Sequence, residues 1–405
     1  MKPTQTSESA SQAAAAVHAS ALVLDGHADT PQRFLDEGWD FLSGPLGHGH
    51  LNLDSARTGG LHACFFALWV DPTEYTRHAC RTLELLDSVL EQIRRHPAAL
   101  RLGLTPADIL RARQDGLFAI LVGVEGGHSI ENSLALLRTY HQLGVRYMTL
   151  TWSHSIAWAD SCGDLDDATI PHNNGLTPFG QDVIREMNRL GMMVDISHVS
   201  DKTFWDVLQV SSAPMIASHS SARALTHAPR NLTDDQLRAM RDAGGVILVN
   251  FYPAFIDEAW RQAHNAQAPQ REAAQQIAAA PFRTRGLPVP FHVSNAIDRD
   301  FAALLPRPPL ASLLDHFLHI LQVAGEDHVG LGSDFDGISA LPQGIDSAAD
   351  LPSLSAALLE RGVTKPQLDK LLGGNLLRVM ETVQQRAESR NPSALCPPQP
   401  HTIAL

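Results

Sequence analysis

The sequence predicts an α/β protein: a single (β/α)8 barrel of the TIM type with an insertion before the last strand. Eight short apolar runs punctuate the chain, and helical patterns separate nearly all of them. The runs are continuously apolar rather than alternating, as in parallel strands covered on both faces. Several end on His, Asp or Glu, and barrel sites lie at the carboxyl ends of the strands. A doubly wound sheet is the structural alternative that the pattern alone allows.

The first run, 22–30, reads Leu-Val-Leu-Asp-Gly-His-Ala-Asp-Thr. It is a buried strand ending in a glycine and a His-x-Asp pair. Residues 31–54 look like a loop, and 61–70 is the second strand. A helical pattern over 74–95 leads to the third strand at 118–124, which Glu125 closes. A helix over 130–143 precedes the fourth strand, 145–151. The Asp-, Gly- and Asn-rich stretch 160–175 reads as a loop over a strand end. Helices near 180–190 and 201–210 alternate with strands at 192–197, ending at His198, and 214–218, ending at His219. Thr233-Asp234-Asp235-Gln236 has the form of a capping box opening a helix. The seventh strand is 245–250, and the last, 328–333, runs into Asp334. Before the final helix and strand lies an Ala-, Gln- and Pro-rich insertion, 253–309, suited to capping a site, supporting an oligomer or decorating the barrel. The expected organisation is a tail over 1–20, the barrel over 21–385 and a second tail over 386–405.

Composition bounds the partners. The 405 residues suffice for one large domain, and 44% apolar residues is ordinary for a globular chain. With 44 acidic and 31 basic residues, the net charge of −13 argues against nucleic acid and anionic membrane. The four cysteines, Cys64, Cys80, Cys162 and Cys396, form no C-x-x-C, so neither a disulfide framework nor a thiolate zinc site is expected. The N-terminus is polar, its apolar stretch is too short for a signal peptide, and no run has membrane-spanning length. A cytoplasmic location is the expectation.

The chemistry lies in the residues that close the strands. Positions i and i+2 of a strand point the same way, so His27 and Asp29 can meet one ion. Imidazole plus carboxylate suits zinc or a similar divalent metal. In a barrel, Glu125, His198, His219 and Asp334 face the same mouth. Two ions about 3.5–4 Å apart need a shared ligand. His27, Asp29 and Glu125 can hold one ion. His198, His219 and the other Glu125 oxygen can hold the second, with positions open for a bridging water. Each residue also has a bland reading: a core histidine, an N-cap partner at Glu125, a turn at Asp334. Those readings would all have to hold at five strand ends at once, which is the less economical account.

The motifs Asp25-Gly-His-Ala-Asp-Thr30, Gly123-Val-Glu-Gly-Gly-His-Ser129, Trp158-Ala-Asp160, Asp195-Ile-Ser-His198, Ser218-His-Ser-Ser221, Arg230-Asn231 and Gly332-Ser-Asp-Phe-Asp-Gly337 stand in one order along the chain, with Asn375-Leu-Leu-Arg-Val379 after them. In these the sequence resembles the membrane dipeptidase (renal dipeptidase) family of zinc metallopeptidases, among the amidohydrolase-like barrels. The resemblance implies a binuclear zinc dipeptidase, with two Zn2+ per chain and small dipeptides as substrates. It implies His27 and Asp29 on one ion, His198 and His219 on the other, and Glu125 between them. It further implies Asp334 as the acid/base and Arg230 as the contact to the substrate carboxylate. A homodimer follows by family analogy. His128 falls in a family motif but outside the ligands, which suits a structural hydrogen bond.

The chain departs from the family in three places. Many members carry Thr-His where it has Thr151-Trp152, and that histidine polarises the scissile carbonyl. His154, two residues on, is the expected substitute, with Trp152 walling the substrate pocket. Neither the secretion signal nor the lipid-anchor signal of vertebrate members is expected from the sequence, and the insertion is longer than in the compact members. Two other functions compete: hydrolysis of another amide, a lactam or a lactone, and metal binding without catalysis.

Overall fold

The structure is a computed structural model that describes residues 14–390. Cys396 lies outside the described residues, as do most of the first tail and of the second. Residues 14–20 are helical, and His18 is buried, with Nδ1 2.7 Å from Ser355 Oγ and Nε2 2.8 Å from the Gly59 carbonyl.

Among the described residues nine strands form the sheet: β1 (Leu24–Ala28), β2 (Ala63–Trp69), β3 (Leu100–Leu102), β4 (Phe118–Glu125), β5 (Val145–Thr149), β6 (Met193–Asp195), β7 (Ile216–Ser220), β8 (Val246–Val249) and β9 (Val329–Leu331). All pair in parallel, in the order β2-β1-β9-β8-β7-β6-β5-β4-β3, and β2 also pairs β4. That last pairing closes β1, β2 and β4–β9 into an eight-stranded barrel. All eight apolar runs of the sequence are strands of this barrel. The short β3 was not expected. It pairs the start of β4 (Leu100↔Phe118, Leu102↔Ile120), and β5 takes over the same edge from Val122.

Alternation divides each strand between two cores. Phe66, Ile120, Val122 and Val194 face the helices. Phe65, Leu121, Tyr147, Met193 and Leu248 form a second cluster, joined by Leu376, Val379, Met380 and Val383 of the C-terminal helix Asn375–Arg390. Every residue of β4 is buried, so a run without polar alternation is its natural sequence.

The helices form where the sequence offers caps. Thr105 and Thr233 each close a capping box, with Asp108 and Gln236, at the starts of Pro106–Gln114 and Asp234–Asp242. The stretch 31–54, read as a loop, contains the short helix Pro31–Asp36, which starts on the proline.

The insertion is helical. Pro253–Ile256, Glu258–Ala266, Ala268–Arg283 and Phe291–Ala302 precede the outer helix Leu310–Ala324. Glu74, after β2, accepts from Arg283 and from the Val289 N–H, both at 3.1 Å. Asp36 accepts from the Phe291 N–H at 3.4 Å and pairs with Arg81. These contacts tie the insertion to loops at the carboxyl ends of the strands, the face where the site must lie. No helix among the described residues is long and apolar enough to cross a membrane.

Candidate metal centre

The strand ends deliver His27, Asp29, Glu125, His198, His219 and Asp334 to one buried cluster. Glu125 is its centre. Its Oε2 lies 3.4 Å from His27 Nε2, which is 3.5 Å from Asp29 Oδ2. Its Oε1 lies 2.9 Å from His198 Nε2 and 3.4 Å from His219 Nε2. The two imidazole Nε2 atoms are themselves 2.9 Å apart. Each carboxylate oxygen therefore serves a different group of ligands.

The donor set fits divalent metal. Ligands about 2.0–2.1 Å from a tetrahedral ion stand ~3.4 Å from one another, and these separations lie close to that. His27 Nε2 is buried without a hydrogen-bond partner, an arrangement that a metal would relieve. Burial pushes His198 down to about 3 and holds His219 well below the usual imidazole value, with the charges of Arg230 and His27 acting the same way. Neutral imidazole is the metal-binding form. Burial alone would raise Glu125. The adjacent His27 charge and the hydrogen bonds of His198 and His219 reverse this and hold it well below the carboxylate range.

Outer contacts aim the ligands. His27 Nδ1 is 2.8 Å from the Tyr147 hydroxyl. His219 Nδ1 is 2.7 Å from Ser218 Oγ, which donates to Asp195 Oδ2 at 2.6 Å. Against its burial, the Glu125 and Asp29 charges hold His27 above the usual imidazole value, and with a metal at Nε2 these outer contacts would keep the one remaining proton of each imidazole on Nδ1. Gly123 is required here, because a Cβ would sit 2.1 Å from the Tyr147 ring. His128, by contrast, places Nε2 2.8 Å from the Val70 carbonyl, and burial lowers it to about 4.

Asp334 reaches the cluster from the turn after β9. Asn250, directly after β8, donates from Nδ2 to Asp334 Oδ2 at 2.9 Å. Burial raises the Asp334 carboxyl; the Glu125 charge adds to this, while His27, Asn250 and Arg230 oppose it. His198, Asp334 and Asp336 all have left-handed backbones, with φ of 71°, 64° and 66°. Non-glycine residues adopt this region only when their surroundings hold them there. Asp336 is held by Thr30 Oγ1 and the His50 N–H, each 2.6 Å away. Gly337 passes so close that a Cβ would meet Asp29 Oδ2 at 2.1 Å.

Arg230 is buried beside the histidines. It donates from Nη2 to the His219 carbonyl at 3.1 Å and lies 5.3 Å from the Phe255 ring centroid. Above Asp334 opens a cavity of 620 Å3, roofed by the insertion and lined in part by Trp69, Trp152, Ser153, Tyr252 and Phe291. Trp152 lies 6.3 Å from the His198 ring and 5.4 Å from the His154 ring. His154 does not line the cavity, and its Nδ1 is buried without a hydrogen-bond partner.

Tyr147, Asp195, Ser218 and Asn250 were not singled out for these roles in the sequence. Asn250 ends an apolar run just as His198 does, so the same rule could have found it. Tyr147 lies inside a strand, where an aromatic residue reads as core.

A closed parallel barrel with carboxylates and imidazoles gathered at its strand ends defines a class: a barrel protein built around a metal-competent centre. The chain belongs to the membrane dipeptidase family, peptidase family M19, whose model matches residues 11–394. It is 33% identical over 371 residues to Dipeptidase 3 of Mus musculus, covering 90% of this chain. It spans 65% of that relative's length. It is also similar to a crystal structure of a metallopeptidase from Rhodobacter sphaeroides liganded with a phosphinate mimic of the dipeptide L-Ala-D-Ala. That match has 28% identity and a TM-score of 0.72, covering 90% of this chain and 99% of the other. The probable dipeptidase PvdM from Pseudomonas aeruginosa matches at 25% identity and a TM-score of 0.77, covering 94% and 99%.

Proposed function

We propose that this protein is a binuclear zinc dipeptidase. The observation that carries the reading is Glu125, whose two oxygens address two separate ligand groups in one buried cluster. His27 and Asp29 would hold one ion, His198 and His219 the other, and Glu125 both. Bound there, the ions would supply Lewis acidity and lower the pKa of water from about 15.7 toward 7.

The protein's own residues do the rest. Asp334, raised by burial and steered by Asn250, takes the proton of the attacking water and returns it to the leaving amine. Arg230 pairs with the substrate carboxylate, for which a guanidinium fork is suited. The insertion supplies part of the cavity wall, from Phe255 to Asp298. We assign Trp152 as a wall of the pocket; His154, expected from the sequence as donor to the scissile carbonyl, does not line the cavity and receives no such role. The phosphinate held by the Rhodobacter sphaeroides relative supports dipeptides as the substrate class, L,D pairs included.

The indole at position 152 favours one competing reading, hydrolysis of another amide, a lactam or a lactone. A panel of L,L- and L,D-dipeptides, extended with lactams and lactones and run with zinc and with chelator, tests the proposal. Zinc-dependent release of free amino acids is expected. Cleavage confined to lactams or lactones would overturn it.

A further inference from the structure

The cavity is lined by two groups of rings, and Arg230, which does not itself line it, lies against one of them at Phe255. Arg230 follows β7, and its neighbour Phe255 follows β8 in company with Tyr252, the ring centroids of these two 5.2 Å apart. Trp69 ends β2, and Trp152 follows β5. In the closed barrel order, β4 stands between β2 and β5, and β8 lies across the barrel from β4. β2 in turn lies across the barrel from β7, so Trp69 ends the strand opposite the one that leads to Arg230, while Trp152, two strands from β7, meets Trp69. Their rings are 4.8 Å apart, and Phe291 of the insertion packs edge-on against Trp69 at 5.4 Å.

The charged groups of the cavity wall are largely matched among themselves. Asp36 pairs with Arg81, Glu74 with Arg283 at 3.1 Å, and Asp298 with Arg271 at 3.3 Å. Asp71 accepts from Thr73 N–H and Oγ1 in its own turn, at 2.8 and 2.7 Å. Selection of a side chain is therefore left to apolar contact with the rings, of which Tyr252 and Phe255 stand near Arg230 and Trp69, Trp152 and Phe291 form the other group.

We infer that Trp69, Trp152 and Phe291 form a subsite for the amino-terminal residue of the dipeptide, selecting an aromatic or bulky apolar side chain. This rests on the dipeptidase reading, with the substrate carboxylate at Arg230. A dipeptide anchored there by its carboxyl end extends its first residue toward the opposite side. Phe291 belongs to the insertion, which gives that segment a part in specificity as well as in covering the site.

The test is kcat/KM for two series, Xaa-Ala and Ala-Xaa, with Xaa as Ala, Leu, Phe, Glu or Lys, on the zinc-loaded full chain. Phe-Ala should exceed Ala-Ala by about ten- to a hundredfold, the worth of burying one Phe side chain. Ala-Phe should differ from Ala-Ala by much less. In Phe291→Ala and Trp69→Leu the Phe-Ala to Ala-Ala ratio should fall toward one. Because the ratio is taken within each variant, a general loss of active protein cancels. An Xaa-Ala series without preference, a preference confined to Ala-Xaa, or a ratio that survives both substitutions would overturn the subsite while leaving the dipeptidase reading intact. Failure to cleave any dipeptide would overturn the dipeptidase reading itself, and the subsite with it.

Discussion

Two carboxylates of one turn take different places, Asp334 as the proposed acid/base and Asp336 in the scaffold. Asp334 faces the cluster, whereas Asp336 is fully engaged with Thr30 and His50. Asp334→Asn should lower kcat about 10²–10⁴-fold with most metal retained, the usual loss for a positioned acid/base. Asp336→Asn should instead lower the melting temperature, and equal effects on both measures would contradict the division. Tyr147→Phe removes the hydroxyl next to His27 Nδ1. Its expected effect is a metal affinity weaker by about 10–100-fold in chelator competition, the usual cost of losing such a contact. His154 does not line the cavity, so His154→Ala should change kcat by less than about threefold with metal unchanged. A loss on the order of 10²–10³, as for a lost carbonyl donor, would contradict this. The sequence made the inner residues legible because each closes an apolar run. It hid Tyr147 and Asp195, whose roles appear only once strands β5, β6 and β7 are side by side. The left-handed backbones at His198 and Asp334 were equally hidden, since neither residue type announces that conformation.

At the scale of elements, the eight barrel strands were readable because burial on both faces leaves continuous apolar runs. β3 escaped because it has three residues, one of them Arg101, and is held by the edge of β4 rather than by its own composition. The insertion carries no strand-like pattern, and its capping role comes from contacts distant in sequence. Glu74 supplies two of them, to Arg283 and to the Val289 backbone. Partly exposed bonds of this kind contribute about 1 kcal/mol each. Glu74→Ala should therefore loosen the segment without unfolding the barrel. Limited proteolysis within 268–302 should accelerate several-fold, since cleavage follows the open population. An unchanged digestion rate would show that the other contacts suffice.

For the whole molecule, buried neutral histidines set a pH limit on stability. His316 accepts the Ala222 N–H at Nδ1, 3.0 Å away, and burial lowers it to about 4. An unfolded histidine titrates near 6.5. Between pH 6.5 and 4 the unfolded chain therefore binds a proton that the folded chain refuses. The contribution is fully present above 6.5 and is lost as pH falls through that window, by up to about 1.4 kcal/mol per unit. Denaturation of metal-free protein from pH 7 to 5 should show a steeper decline for wild type than for His316→Gln, and parallel curves would contradict this. In the proposed binuclear centre both metal sites depend on Glu125. Metal analysis of purified, zinc-equilibrated protein, wild type beside Glu125→Gln, tests that dependence most directly. Two ions per chain are predicted for wild type, with both sites weakened in the variant, because an amide bridges two cations poorly. A wild-type content of one ion or none, or a variant that keeps both ions at full affinity, would contradict the account.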